Sequence, residues 1–252
     1  MAQPQRVYGL HAVRALLRQG DAVIRRAWVQ AGRDDPRLME VISELSDRGV
    51  AVEPVARREL DRLLDGARHQ GVLLEVEAAA VGDEHTLEAF LAGLVKPALL
   101  LVLDGVTDPH NLGACLRTAD AAGVQAVILP KDRSVGITPV VRKVACGAAE
   151  SLPLFQVTNL ARSLRLLQDA GIWIFGAAGE AEQSLYEVDL TGSVAVVLGA
   201  EGGGLRRLTR EHCDVLVKIP MAGLVESLNV SVAAGVLLYE VVRQRQGLAR
   251  GP

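Results

Sequence analysis

The sequence predicts an α/β protein whose larger domain is built on a parallel sheet. From Pro97 onward the chain contains apolar runs without polar alternation, which are typical of strands covered by helices on both faces. Segments with clear helix start and stop signals separate these runs. The predicted strands cover residues 98–103, 124–129, 172–177, 194–198 and 215–219.

The helices between these strands carry recognisable start signals. A capping side chain, or a proline that suits the first turn, occurs in three pairs: Asp108-Pro109, Thr138-Pro139 and Thr158-Asn159. The first pair places a helix start near Asn111, because proline does not allow a helix to continue through it. A final helix is predicted over about 229–246, with Ser227 and Asn229 as its candidate N-caps.

The hydrophobic pattern of residues 1–77 predicts a second, smaller α/β domain. Helical patterns cover 9–19, 36–48 and 57–64, and extended patterns cover 24–30, 50–53 and 71–76. This segment contains twelve arginines, twelve acidic residues and no lysine, so any basic patch depends on where the arginines lie in space. Residues 78–96 begin as a linker and continue as a short helix with Thr86 as its predicted N-cap, and the larger domain covers 97–252.

Composition narrows the class of protein. A net charge of -3 and a pI near 6.0 do not indicate a polyanion ligand, so nucleic-acid binding would depend on local basic surface. Three cysteines without a CxxC pair argue against a zinc site and a disulfide framework. The sequence has neither an apolar run of spanning length nor a signal-peptide core, so we expect a cytoplasmic protein without a metal.

A glycine-rich loop, Gly199 to Gly204, follows the strand over 194–198 and precedes a helix-like segment. Glycines let backbone amides approach a ligand closely. The dinucleotide fingerprint fails because it requires glycine where Glu201 stands. A carboxylate in the loop suits a ligand with hydroxyls and positive charge better than one with pyrophosphate. A tight strand-to-helix turn without a ligand is the alternative interpretation.

Two further segments follow apolar strands in the same way. The chain leaves the strand over 215–219 and passes through Ser227 and Asn229 into the final helix. Together with the glycine loop, this segment can form a pocket of backbone amides and carbonyls that reads an adenine edge. Arg117 lies in the helix that begins near Asn111; taken alone, an arginine there is more typical of a surface ion pair or a phosphate contact.

The three segments together resemble the signature motifs of the SpoU (TrmH-like) RNA ribose 2′-O-methyltransferases. NLGACLRTADAAG is similar to the first motif of that family, VLGAEGGGL to the second and IPMAGLVESLNVSVAAGVLLYE to the third. RVYGLHAVRALL and HQGVLLEVE resemble the L30e-like RNA substrate-binding domain that these enzymes carry, which would be residues 1–77. The resemblance extends over essentially the whole chain.

The resemblance implies a SPOUT α/β domain with a parallel sheet and a deep trefoil knot over roughly 194–246. In this family the knot forms the S-adenosylmethionine site, and the enzymes are homodimers that need no metal. Transferred to matching positions, the resemblance gives these cofactor-binding residues: Leu198, Gly199, Ile219, Met221 and Leu228.

The resemblance also implies catalytic roles for five residues. Arg117 is the expected general base, or, since a guanidinium gives up its proton very reluctantly, the group that stabilises the emerging alkoxide. Asn111 would orient Arg117 or the ribose, and Glu201 would hold the glycine loop. Ser227 and Asn229 would complete the set of hydrogen bonds.

The implied reaction is methylation of a guanosine ribose 2′-hydroxyl in the peptidyl-transferase region of 23S ribosomal RNA, presented as free RNA or as a pre-ribosomal large subunit. Two alternatives stay open: a 2′-O-methyltransferase that acts on transfer RNA, and a catalytically inactive RNA-binding module for ribosome assembly. A nucleotide-dependent reductase is disfavoured by Glu201 and the missing fingerprint.

Overall fold

The computed structural model describes residues 5–19, 22–67, 69–77 and 81–249, and they fall into two compact units. The first unit spans Met1–Ala80 together with Cys146–Ser151, and the second spans Val81–Ala145 and Leu152–Pro252. Residues 78–80, where the predicted linker begins, lie outside the described residues. No helix in the described ranges is long and apolar enough to cross a membrane.

Ten α-helices and eleven strands follow one another along the described chain. They are β1 (Gln5–Tyr8), α1 (Leu10–Gln19), β2 (Ile24–Gln30), α2 (Pro36–Asp47), β3 (Val52–Val55), α3 (Arg57–Leu63), β4 (Val72–Val76), α4 (Glu84–Ala92), β5 (Leu99–Asp104), α5 (Pro109–Ala121), β6 (Ala126–Pro130), α6 (Pro139–Ala145), α7 (Ala148–Ser151), β7 (Leu154–Val157), α8 (Leu160–Asp169), β8 (Trp173–Ala177), β9 (Gln183–Ser184), β10 (Val194–Gly199), α9 (Arg207–Glu211), β11 (Val215–Lys218) and α10 (Val230–Ala249).

The first unit contains a four-stranded sheet in the order β1-β4-β2-β3. Strand β4 is antiparallel to β1 and β2, whereas β2 and β3 are parallel. One face of the sheet carries the larger core, in which Val13 and Leu17 of α1 and Leu45 of α2 are buried. The opposite face carries a small core of Trp28, Leu60 and Leu73. Both faces are therefore covered, at least in part, by helices.

The second unit is built on a seven-stranded sheet in the order β7-β6-β5-β10-β8-β11-β9. All its strand pairs are parallel, which confirms the parallel α/β sheet predicted from the apolar runs. All six residues of β5 are buried, as expected for a central strand covered on both faces. Strands β7 and β9 were not predicted, because they have only four and two residues.

Helices cover both faces of this sheet. On one face, Leu87 and Leu91 of α4 and Leu164 and Leu167 of α8 share one buried core with the strands. On the other, α5 packs against α6 and α10, and α10 also contacts β10. Since the strands are parallel, their carboxyl ends meet at one edge, and the loops that follow β5, β10 and β11 lie there.

The start of α4 corrects one sequence-based prediction. Its N-cap is Asp83, whose carboxylate accepts a hydrogen bond from the Thr86 amide at 3.0 Å. The Asp83 amide donates in return to Thr86 Oγ1 at 2.7 Å, which is a reciprocal capping box. Predicting Thr86 itself as the cap is therefore wrong by three residues. The predicted caps Thr138 and Asn159 are confirmed, since each side-chain oxygen accepts from a backbone amide three residues later.

The first residue of α4, Glu84, ties this helix to the connection between β7 and α8. Its carboxylate accepts hydrogen bonds from the Thr158 hydroxyl, the Thr158 amide and the Asn159 amide. These bonds, above all the one from the Thr158 side chain, lower the pKa of Glu84 from 4.5 to about 2. The folded state is therefore stabilised by the ionised form of Glu84.

We expect Glu84→Gln to lower the free energy of unfolding at pH 7 by about 1 kcal/mol, because these charge-assisted bonds lie near the surface. The pKa is depressed by folding, so this contribution is complete above pH 4.5 and is lost as the pH falls towards about 2. Urea unfolding at several pH values between 7 and 2.5 measures it, with Glu88→Gln on the exposed part of α4 as the matched control. A difference from the parent chain that stays constant with pH would contradict this account.

Candidate active site

Three side chains from the loops at the carboxyl edge of the large sheet form one hydrogen-bonded cluster. Glu201, in the loop after β10, accepts a hydrogen bond at Oε1 from Asn111 Nδ2 at 2.8 Å. The same oxygen accepts from Asn229 Nδ2 at 2.9 Å. The Asn229 amide also donates to Asn111 Oδ1 at 3.0 Å, so the three residues are all mutually bonded. The cluster thus joins the loops that follow β5, β10 and β11.

Helix capping places two members of the cluster. Asp108 is the N-cap of α5 and accepts from the His110 amide at 3.0 Å, so Asn111 lies in the first turn. Asn229 accepts at Oδ1 from the Ser231 amide at 2.9 Å and from the Ser231 hydroxyl at 2.6 Å. Asn229 is therefore the cap of α10 and uses its amide nitrogen for the cluster. Of the two predicted caps, Asn229 is the one that the structure confirms.

The glycine loop is a tight turn that presents Glu201. Ala200 and Gly204 exchange two backbone hydrogen bonds of 3.1 and 2.9 Å. A Cβ added to Gly199 would lie 2.0 Å from the carbonyl carbon of Gly204, so only glycine fits at this position. The positive φ of Gly202, +73°, likewise favours glycine. The loop shape is therefore determined by backbone contacts that larger residues would prevent.

A cleft of about 670 Å³ opens between this loop and the loop that follows β11. The sequence-predicted residues that line it are Leu198, Gly199, Glu201, Ile219, Met221, Ser227, Leu228 and Asn229. Asn111 is joined to the cleft through Glu201 and Asn229. Arg117 does not line it; this residue lies six positions beyond Asn111 on α5, and its side chain is exposed.

The charged residues that line the described part of the cleft are all acidic: Glu180, Glu201 and Glu226. Sequence reasoning missed Glu180, which is ion-paired with Arg210, and Glu226. Glu180 lies just beyond the carboxyl end of β8, and the rule that ligands bind at such ends could have identified it. The charge of Glu180 is offset by Arg210, but Glu201 and Glu226 still make the cleft better suited to a ligand that carries positive charge than to a phosphate.

Beneath the cluster, the buried Cys115 thiol has a pKa raised to about 12, first by burial and then by the charge of Glu201. Cys115 is therefore a neutral thiol at physiological pH and is not a nucleophile. Among the residues that the structure describes, no three His, Cys, Asp or Glu side chains are grouped as metal ligands.

Comparison with known proteins identifies the family. The model of the SpoU rRNA methylase family matches residues 98–239, and a model described as RNA 2′-O ribose methyltransferase substrate binding matches residues 6–81. The chain therefore belongs to the SpoU rRNA methylase family.

Individual relatives match over nearly the whole chain. The chain is 58% identical to the 23S rRNA (guanosine-2′-O-)-methyltransferase RlmB of Pseudomonas putida, over 98% of this chain and 99% of that protein. It is 55% identical to RlmB of Escherichia coli K12, over 95% of this chain and 98% of the relative.

Solved structures agree in fold. The SpoU methyltransferase AviRb of Streptomyces viridochromogenes, in complex with the cofactor AdoMet, superposes with a TM-score of 0.78 at 25% identity, covering 97% of this chain and 92% of that one. A TrmH/SpoU tRNA modifying enzyme of A. aeolicus superposes with a TM-score of 0.56 at 30% identity, covering 66% of this chain and 84% of that one. The shorter enzyme thus matches a smaller share of the chain.

Variants at Asn229 separate its capping role from its role in the cluster. We expect Asn229→Ala to lower the free energy of unfolding by about 0.5–2 kcal/mol through loss of the cap, and Asn229→Ser by less, because serine also caps helices. Both variants lose the amide that holds Glu201, so hydrogen exchange at the Ala200 and Gly204 amides should rise equally in both. Equal loss of stability in the two variants would contradict the capping role of Asn229. Unchanged hydrogen exchange in the glycine loop would contradict its role in holding Glu201.

Proposed function

We propose that this chain transfers the methyl group of S-adenosylmethionine to the ribose 2′-hydroxyl of a guanosine in 23S ribosomal RNA, in the peptidyl-transferase region and in the cytoplasm. The observation that carries the proposal is the Asn111–Glu201–Asn229 cluster beside the acidic cleft. It occurs in a chain that is 55–58% identical to RlmB enzymes over nearly its full length.

The cleft fits S-adenosylmethionine in size and in charge. Its volume of about 670 Å³ lies within the range of small-molecule sites, roughly 300–1,000 Å³. The sulfonium and ammonium groups of the cofactor are positive, which suits the carboxylates of Glu201 and Glu226. The residues that would hold the cofactor are Leu198, Gly199, Ile219, Met221 and Leu228, through backbone amides, carbonyls and apolar contacts. When bound, the cofactor supplies an electrophilic methyl group.

The residues of the chain contribute orientation and electrostatics. In-line displacement requires the ribose oxygen to be aligned with the methyl group, and such alignment accounts for much of the acceleration. Asn111, Glu201 and Asn229 hold together the loops that border the cleft, and Ser227 also lines the cleft. Arg117 acts on the hydroxyl, either by accepting its proton or, as the cationic character of a guanidinium favours, by stabilising the emerging alkoxide.

Exposed cations next to the site support an RNA substrate. Lys131 and Arg133 lie in the loop after β6 and are exposed. This loop is anchored on the segment that leads into α5, since the Ser134 hydroxyl and the Val135 amide both donate to the Val106 carbonyl, at 3.2 and 3.0 Å. Phosphate groups bind such cations, so the RNA backbone would approach from the side of β6.

The proposal includes the roles of the two domains. Residues 1–77 act as the L30e-like substrate-binding domain, residues 78–96 connect it, and 97–252 form the methyltransferase domain; the match of the substrate-binding model to residues 6–81 supports the first assignment. Residues 194–246 are threaded as a trefoil knot. This part of the proposal follows the family likeness.

The active form is a homodimer in this proposal, with α10 in its interface. Val232 and Tyr239 of α10 are seven residues apart, which places them on one face of the helix, and they are 51% and 49% exposed. A second copy of the chain would cover this apolar face.

Transfer RNA is the second candidate substrate, because the similar A. aeolicus structure is a tRNA modifying enzyme. The deciding experiment offers labelled S-adenosylmethionine, large-subunit ribosomal RNA from cells lacking this gene, and bulk transfer RNA to the purified protein. Ribose-methylation sequencing then maps the label. A single guanosine in 23S ribosomal RNA is the expected result. Label in transfer RNA would overturn the substrate, and absence of cofactor binding would overturn the reaction and favour an inactive RNA-binding module.

We expect Arg117→Ala to lower the methylation rate by about 10²–10³-fold, the usual effect of removing a group that stabilises transition-state charge, with unchanged affinity for S-adenosylmethionine. Arg117→Lys, which keeps the charge, should retain more activity than Arg117→Ala. Single-turnover methylation and calorimetric binding measure the two quantities. Arg162→Ala on α8, also an exposed arginine of the second unit, is the control. Methylation by Arg117→Ala at the parent rate would show that Arg117 takes no part in the reaction.

A further inference from the structure

An ion pair between a buried carboxylate, Asp104, and the partly exposed guanidinium of Arg206 lies next to the glycine loop. Asp104, the last residue of β5, is 0% exposed. Its carboxylate accepts from the backbone amide of Arg206 at 3.0 Å through Oδ2. Oδ1 accepts from both Nε and Nη2 of the Arg206 guanidinium. One carboxylate is thus held by three donors of the same residue.

This pair lies where the loop begins and ends. In the parallel pairing of β5 and β10, Asp104 is the register partner of Gly199, the residue at which the loop begins. Arg206 comes immediately after Leu205, the last loop residue that lines the cleft. Asp104 is therefore next to the start of the loop and is bonded to the residue that follows its end. The length and direction of the loop between these points are constrained accordingly.

Close packing constrains the loop between its ends. Gly199 leaves no room for a Cβ beside Gly204. At the end of the loop, a Cβ added to Gly176 of β8 would lie 2.9 Å from Leu205 Cδ1, so this leucine packs directly on the sheet. The loop can therefore take few other shapes while the Asp104–Arg206 pair is intact, and its backbone groups keep a fixed arrangement along the cleft.

Stability alone is a weak reason for an ion pair that keeps a carboxylate buried. Desolvation offsets much of the attraction, and apolar replacements of similar volume are often as stable or more so. The geometric effect of the pair is specific, because two guanidinium donors and one backbone amide converge on a single carboxylate. A geometric role for the pair accounts for its position behind a loop that lines the cleft.

We propose that Asp104 and Arg206 are positioning residues: their ion pair holds the loop Gly199–Leu205 in its binding shape and thereby sets the affinity for the cofactor. Neither residue contacts the reacting atoms in this inference. The part that concerns affinity rests on the proposed use of S-adenosylmethionine; the part that concerns the loop does not.

The test is a double-mutant cycle on the full-length protein with Asp104→Ala, Arg206→Ala and the double variant. Each is measured for urea unfolding, for calorimetric affinity for S-adenosylmethionine, and for hydrogen exchange at the Ala200 and Gly204 amides. Arg206→Ala should lose most stability, because it leaves a buried carboxylate without its cation. The double variant has no such charge, so its stability should recover above that of Arg206→Ala.

In the double variant, the affinity for S-adenosylmethionine should stay low even though the stability recovers. We expect the dissociation constant for S-adenosylmethionine to rise by about tenfold or more in all three variants, equivalent to about 1.4 kcal/mol. Loop exchange should rise in all three as well. Glu84→Gln is the control for lost stability at a site outside the loop, and it should keep the affinity of the parent chain.

Affinity that returns to the parent value in the double variant would overturn the proposal, since a merely structural pair predicts that affinity follows stability. Unchanged exchange at Ala200 and Gly204 in the variants would overturn it too. If the parent chain itself does not bind S-adenosylmethionine, the proposed function and the affinity part fail together. The exchange measurements then still decide whether the pair holds the loop.

Discussion

The site depends on a single carboxylate oxygen that accepts hydrogen bonds from two amides. Glu201 Oε1 is hydrogen-bonded to Asn111 Nδ2 at 2.8 Å and to Asn229 Nδ2 at 2.9 Å. Asn111, Glu201 and Asn229 each follow a different strand of the sheet. A parallel sheet brings the carboxyl ends of its strands to one edge but leaves the loops there free to diverge. The Glu201 carboxylate joins these loops, and the cleft lies between two of them.

These hydrogen bonds separate two roles, holding the loops and acting on the substrate, that the family resemblance gave to one group of residues. Asn111, Glu201 and Asn229 donate to and accept from one another, which suits them to hold the loops, whereas the proposed function gives the ribose hydroxyl to Arg117 on α5. The cleft is lined by three carboxylates, whereas the cations Lys131 and Arg133 lie in the loop after β6. In the proposed function a positive cofactor and a polyanionic substrate therefore approach from different sides.

Much of the fold could be predicted because the pattern of buried residues within each element can be recognised from residues close together in the sequence. Apolar runs such as residues 98–103 indicated strands covered on both faces, and Asn159 marked a helix start through its own side chain. The short strand Leu154–Val157 was not predicted, because a pattern of four residues is too short to distinguish a strand from a loop. The cap of α4 was misplaced because Asp83 and Thr86 bond to each other, and either could be read as the cap.

The sequence by itself determined the fold class, the order of most elements, and the three motifs that carry the family likeness, since these depend on residues close together in the chain. Only the tertiary structure decided which side chains meet. The Asn111–Asn229 bond spans 118 positions and the Asp104–Arg206 bond spans 102, and neither residue pair has a local pattern that marks it. The hydropathy of a residue indicates whether it is buried, but it does not indicate which other residue it contacts. Partners depend on strand order, which is settled only when the whole sheet has formed.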